Sequence, residues 1–210
     1  AMVVSCDGEE AVLIASDLLQ FRAETVADFR QLIQNASEIS AGNVTLSCSH
    51  THYGPDIDRA GSQDPAPGPG DPEPSQLVEA YRIHLGFKLA GLVQEAQNNL
   101  KPARIGVGWG SSDIGINRRE KTPEGKTILG DNHDGPVDRQ VGVARIEDTS
   151  GNPIACLVNF ATHPVAQTSQ QRAISAGFVG RMSRVVESLT GASCLFLQGA
   201  AGNINPASGF

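Results

Sequence analysis

An α/β fold, with a mixed β-sheet flanked by helices, is the architecture this sequence predicts, and three observations carry it. The first is the continuous apolar run Ala11 to Ser16, short enough to be a buried strand. The second is the segment Thr25 to Ile39, where Val26, Phe29, Ile33 and Ala36 recur at helical spacing. The third is a further strand, Asn43 to Ser49, which runs into His50-Thr51-His52-Tyr53 and is stopped by Gly54-Pro55. Strand, helix and strand in this order form a βαβ unit, which favours a parallel pair with a right-handed crossover.

The rest of the chain continues in the same manner. Residues 56 to 74 are rich in Pro, Gly and Asp and read as a long loop, either a lid beside the histidines or a plain surface insertion. Ser75 is placed to cap the helix that follows, which runs to about Leu100 and aligns Leu77, Tyr81, Leu85, Leu89, Leu92 and Ala96 on one face. His84, within that helix, reads as structural. Arg104 to Trp109 alternates as a strand and leads into Ile114-Gly115-Ile116-Asn117-Arg118-Arg119. Residues 120 to 138 read as a polar loop. Val141 to Ile146 and Pro153 to Phe160 flank Asp148-Thr149-Ser150-Gly151-Asn152, a hairpin signal. A helix over Phe178 to Leu189 and a last strand, Cys194 to Gln198, complete the pattern.

With 210 residues, 40% of them hydrophobic, the chain is long enough to bury a core and too apolar to be disordered. A net charge of -7 argues against a nucleic-acid partner, which asks for clustered Lys and Arg. A small molecule is the expected partner. No apolar run reaches the length of a membrane span, and no basic segment leads into an apolar core as in a signal peptide. Ala1-Met2-Val3-Val4 reads as the middle of a strand, so the native N-terminus is expected to lie upstream. Cys6, Cys48, Cys156 and Cys194 each lie in or beside an apolar run and form no C-x-x-C pair, which reads as small buried thiols. The composition leaves oligomeric state open, and the compartment, secreted or cytoplasmic, as well.

The chemistry-bearing residues gather where strands end. Asp17 follows the first strand, His50 and His52 the second, His163 the strand ending at Phe160, and Asn203 with Asn205 the last. In open α/β sheets ligands bind beyond the carboxyl ends of strands. On an extended backbone residues i and i+2 point the same way, so His50 and His52 would face one spot. By itself the H-x-H pair reads equally well as a ligand pair or as two surface histidines at a polar strand end. His163 precedes Pro164, which holds it extended and makes it the natural third imidazole. Gly199 and Gly202 allow close backbone approach. Arg118 and Arg119 are anion or carbonyl contacts, or in part a solvated pair. Asp131, His133 and Asp134 lie in a loop without a rigid base and read as solvated.

Taken together these segments resemble the neutral/alkaline non-lysosomal ceramidase family. Ser49 to Pro55 resembles that family's histidine-rich segment, Ile116-Asn117-Arg118 its Asn-Arg segment, Asn159 to His163 its F-A-x-H segment, and Phe196 to Pro206 a later segment of Gln, Gly, Asp or Asn and Pro. The resemblance implies a zinc-dependent hydrolase that cleaves the amide of ceramide. It implies that His50 and His163 bind Zn2+, that His52 lies beside the reacting carbonyl and that Arg118 contacts the substrate. Two further family ligands, a Glu and a Tyr, come from a part of the domain that lies after these segments, so the resemblance implies that residues 1–210 are part of a single ceramidase-like catalytic domain, incomplete at both ends. The sequence departs from the family at Asn205, where a serine is usual, and at Tyr53, also a serine position. Asp17 is expected to orient a ligand imidazole from behind. Beside the lipid amidase stand two alternatives: a metal-dependent hydrolase of a non-lipid amide or ester, and a non-catalytic metal- or ligand-binding protein.

Overall fold

The structure, a computed structural model, describes residues 1–55, 57, 74–166 and 173–207. The architecture is α/β, with three sheets, the four-stranded one mixed, and three α-helices among the described residues. The expected lid segment lies almost wholly outside the described residues. The chain divides into two compact units, one made of Ala1–Ser16, Gln20–Ser47 and Pro55–Leu100, the other of Asp17–Leu19, Cys48–Gly54 and Lys101–Phe210.

In the first unit, strands β1 (Met2–Cys6) and β2 (Glu9–Ser16) pair antiparallel through a turn in which Asp7 has φ 51° and Gly8 φ 84°. Positive φ at both central residues is the signature of the hairpin turn whose twist matches that of its strands, and Asp-Gly is its preferred sequence. Strand β3 (Val44–Cys48) lies next to β2, giving the order β1-β2-β3. Between them runs helix α1 (Ala23–Ser37), whose buried stripe is Thr25, Phe29, Ile33 and Ser37. The expected Val26 and Ala36 flank that stripe, half-buried. The helix closes on Glu38 at φ 65°, whose N–H donates to the Gln34 carbonyl.

Helix α2 (Pro74–Asn98) begins at Pro74, where the missing N–H costs nothing. Ser75 therefore stands inside the first turn instead of ahead of it. The buried face differs in part from the one read from spacing: Leu89 is buried as expected, but Leu77, Tyr81 and Leu92 are exposed and Ala90 and Val93 are buried instead. The reason is Gly86. A Cβ there would come within 2.8 Å of Leu32 Cδ1 and 3.1 Å of Phe29 Cε1, so the helix is laid against α1 on its smallest residues. Small residues permit the close approach, and the larger apolar side chains on the neighbouring stripe turn outward. Arg82 seals the contact by donating to Asp28 on α1 and to Glu79 one turn away, both at 2.8 Å. His84 is exposed.

The second unit holds two sheets. The larger has the order β4-β7-β8-β9, from β4 (Ala103–Ser111), β7 (Gln140–Asp148), β8 (Pro153–Phe160) and β9 (Ser193–Gln198). The first three pair antiparallel, with Asp148 to Asn152 making the expected hairpin turn around Gly151 at φ 87°. Strands β8 and β9 are parallel, joined through helix α3 (Gly177–Thr190). Phe178, Val179, Met182 and Val186 of α3 pack on Cys156, Val158, Phe160 and Phe196 of that sheet.

The smaller sheet, β10-β5-β6, corrects two expectations. Residues 120 to 138 are not simply a loop: β5 (Gly115–Lys121) turns at Gly125, φ 80°, into β6 (Thr127–Asn132). Its apolar content, Ile128 and Leu129, is exposed, so the strand lacks the alternation by which a half-buried strand is recognised. Nor is β9 the last strand. Ile204–Pro206 forms β10, three residues that are extended because they pair with Gly115 to Asn117 far upstream.

None of the four cysteines is in a disulfide. Cys6 is exposed, against the expectation of a buried thiol, because it ends β1 at the hairpin turn. Cys156 and Cys194 are register partners on β8 and β9, and burial raises the pKa of both thiols. No helix among the described residues is long and apolar enough to cross a membrane.

Candidate metal centre

His50 and His52 do reach one spot, but not by strand alternation. β3 ends at Cys48, and His50 has φ 64°, a left-handed conformation rare for a residue with a side chain. Two backbone anchors hold it there. Its N–H donates to the Leu18 carbonyl at 3.0 Å, and its ring Nδ1 lies 2.9 Å from the Leu19 carbonyl oxygen. A carbonyl only accepts, so Nδ1 carries the hydrogen and Nε2 keeps its lone pair. The segment after His50 is pinned by Thr51, which is fully buried, donates from Oγ1 to the Ser175 carbonyl and accepts the Tyr53 N–H. Gly54 is required by packing: a Cβ there would stand 2.8 Å from the Asp17 carbonyl oxygen.

His163 follows β8 and is built alike. Its N–H donates to the Ile204 carbonyl at 3.0 Å, and its Nδ1 lies 2.6 Å from the Ala201 carbonyl oxygen. Again the hydrogen sits on Nδ1 and Nε2 is left with its lone pair. Gly199 lets the loop after β9 lie against Ala161, where a Cβ would meet backbone at 3.1 Å.

The three imidazoles form one cluster. Ring centroids of His50 and His163 are 4.8 Å apart, those of His50 and His52 5.1 Å, and those of His52 and His163 5.6 Å. One ring nitrogen from each falls within 4.8 Å of the others, so together they could hold a metal ion. The chemistry of the donor set fits zinc: neutral imidazole nitrogens, two of them with tautomer and orientation set by backbone carbonyls. No other group of three His, Cys, Asp or Glu among the described residues converges in this way. Asp131, His133 and Asp134 are exposed at the end of β6 and the turn after it.

Electrostatics favour neutral rings. Desolvation holds the pKa of His52 below its ordinary value, and the neighbouring His50, His163 and Arg118 lower it further, although His52 is the most exposed of the three. Burial does the same at His163, partly opposed by its hydrogen bond to Ala201. Neutral imidazole is the form that ligates.

Arg118 stands beside the rings on β5. Its N–H donates to the Asn203 carbonyl at 2.8 Å, its Nε to the Gly202 carbonyl at 3.1 Å and its Nη1 to Asn205 Oδ1 at 3.2 Å. Arg119 also donates to the Gly202 carbonyl, but its side chain is exposed. Asn205 thus enters the site through Arg118. Asp17 is exposed, and the orienting contact expected of it is made at His50 by the carbonyl of Leu19, two residues on. The orienting groups that sequence reasoning missed are main-chain carbonyls, which leave no residue-type signal.

No family model matches the chain. It is 29% identical over 201 residues to neutral ceramidase A of Dictyostelium discoideum, covering 88% of this chain and 26% of that protein. Neutral ceramidase B of the same organism is 28% identical over 196 residues with the same coverage. The chain therefore spans about a quarter of the length of the curated relatives it matches. Among solved structures, the neutral ceramidase from Pseudomonas aeruginosa superposes with a TM-score of 0.74 at 20% identity, over 97% of this chain and 33% of that one. A ceramidase complexed with C2 gives 0.73 at 22% identity, over 96% and 31%.

Proposed function

On the premise that this chain is neutral ceramidase-like in sequence and fold, we propose that it carries the histidine part of the active site of a zinc-dependent hydrolase of N-acyl amides, ceramide or a related lipid amide among them. The observation that supports this most directly is the convergence of His50, His52 and His163 with two Nδ1 hydrogens committed to carbonyls. In this reading His50 and His163 hold the zinc ion. When bound, zinc supplies a Lewis acid and brings the pKa of water toward about 7.

The protein's own groups do the rest. His52, the most exposed imidazole, faces incoming substrate and passes a proton to or from the reacting amide. Arg118 meets the carbonyl oxygen or another electron-rich part of the substrate, held in position by Gly202 and Asn205. Asn205, at the position of the family's serine, shapes which substrates fit. Asp17 leads into the Leu18–Leu19 segment on which His50 rests.

The experiment is zinc analysis of the purified chain together with hydrolysis of ceramide and a chromogenic N-acyl amide, with and without chelator. Bound zinc is expected, with chelator-sensitive release of the amine that is weak, because a catalytic zinc normally has three protein ligands and only His50 and His163 are assigned here. Zinc without hydrolysis of any amide or ester would favour a metal-binding, non-catalytic role. Neither zinc nor turnover would remove the reading.

A further inference from the structure

We infer that Asn117 is a positioning residue that aims Arg118 at the histidine cluster by locking the peptide bond between Arg118 and Arg119. The inference rests on the reading of Arg118 as a substrate contact.

The pairing of β5 with β6 is irregular at one place. Asn117 is opposite Asn132 and Arg119 is opposite Leu129, so two residues of β6, Gly130 and Asp131, face the single residue Arg118. Such irregularities interrupt the ladder and re-aim side chains, and they are common beside active sites. An interrupted ladder leaves main-chain groups to be satisfied otherwise. Here side chains do it. Asn117 Oδ1 accepts the Arg119 N–H at 2.8 Å, and Asn132 Nδ2 donates to the Arg119 carbonyl at 2.9 Å. The peptide that follows Arg118 is thereby held by the side chain of the residue that precedes it.

Asn117 is itself fixed. It is 3% exposed, and its Nδ2 donates to the Pro136 carbonyl at 2.9 Å. Asn203 donates to the same carbonyl at 3.2 Å, and the Asn203 carbonyl accepts the Arg118 N–H. Gly135 closes the arrangement, since a Cβ there would stand 2.6 to 2.8 Å from the Asn117 side chain. A buried amide with both its oxygen and its nitrogen engaged has one orientation, and with it the Arg118 backbone has one. The Arg118 guanidinium is then carried to Gly202 and Asn205 and depresses the pKa of His52 and His163 from there.

The test uses the full chain loaded with zinc, in wild type, Asn117→Ala, Asn117→Ser, Arg118→Ala and the double variant Asn117→Ala/Arg118→Ala. One readout is the arginine Nε–H region of the NMR spectrum, where the Arg118 signal is identified by its absence from Arg118→Ala. We expect the Asn117 variants to fold, to keep their zinc and to lose the exchange protection of that signal. A second readout is kcat on the N-acyl amide, where a misplacement of about 1 Å costs on the order of 100-fold. The double variant is expected to be no slower than Arg118→Ala alone. An unchanged Arg118 signal in a folded Asn117 variant, additive losses of kcat, loss of zinc, or failure of both Asn117 variants to fold would each overturn the inference. If wild type turns nothing over, the functional reading fails and the NMR signal alone still decides this one.

Discussion

The ring Nδ1 of His50 lies 2.9 Å from the carbonyl oxygen of Leu19, a residue 31 positions earlier in the chain. That contact is matched 38 residues apart by His163 and Ala201. In both, a main-chain oxygen chooses the tautomer and leaves Nε2 directed away from the backbone partner. Removing either imidazole should therefore remove a ligand without removing the other's anchor. We expect His50→Ala and His163→Ala each to lose most of the bound zinc while retaining the fold. Metal analysis after gel filtration checks this, and undiminished zinc in either variant ends the assignment for that residue.

Gly54 transmits packing to the same contact. A methyl group there would press on the Asp17 carbonyl at 2.8 Å, and Asp17 leads directly into the Leu18–Leu19 turn that holds His50. Overpacking against backbone costs about 1–3 kcal/mol. Gly54→Ala should lower the denaturation midpoint accordingly and weaken zinc binding, measured by competition with a chromogenic chelator. A variant with wild-type stability would show that the turn yields freely.

Stability should depend on pH through His52 and His163. Both have folded-state pKa values below the ordinary imidazole value of about 6.5. Between the lowered values and ~6.5 the unfolded chain binds more protons than the folded one, so stability rises with pH in that window and is fully present above it. In the metal-free protein the melting temperature should fall as pH drops below ~6.5 and be insensitive to these groups above it. Zinc should steepen the fall, because protons compete for the same nitrogens. A flat profile from pH 7 to 5 would contradict the burial that lowers these values.

Thr162, beside His163, is fully buried, and among the described residues its Oγ1 has no hydrogen-bond partner. An unpaired buried hydroxyl costs about 1–3 kcal/mol. Thr162→Val keeps the branching and removes the hydroxyl, so it should leave stability unchanged or raise it by about 1 kcal/mol in denaturant titration. A clear loss would mean that the hydroxyl has a partner in solution.

Asn205 should act on specificity. Its amide engages Arg118, and an amide is not a usual nucleophile. Weak activity on ceramide relative to simple N-acyl amides is expected, with Asn205→Ser improving ceramide selectively. Efficient ceramide cleavage by the unmodified chain, with no gain from the serine, would sink the idea.

Much of this molecule follows from short stretches of sequence. The apolar run of β2, the periodicity of α1, the helix over Phe178 to Leu189 and the turn around Gly151 are local patterns, and each forms where its residues predict. The segments that carry the histidines were legible for the same reason, as polar residues punctuating apolar runs. What the tertiary structure alone decided depends on distant partners. The three residues of β10 are a strand only because β5 lies beside them, and α2 turns its Leu77 and Leu92 outward because Gly86 meets Phe29. The metal centre is of this second kind. Residue type announces an imidazole, but its direction is set by the carbonyls of Leu19 and Ala201, and every residue has a carbonyl. Sequence names the candidate ligands, whereas only the folded backbone selects which oxygen stands behind each ring and so which nitrogen is left to face a metal ion.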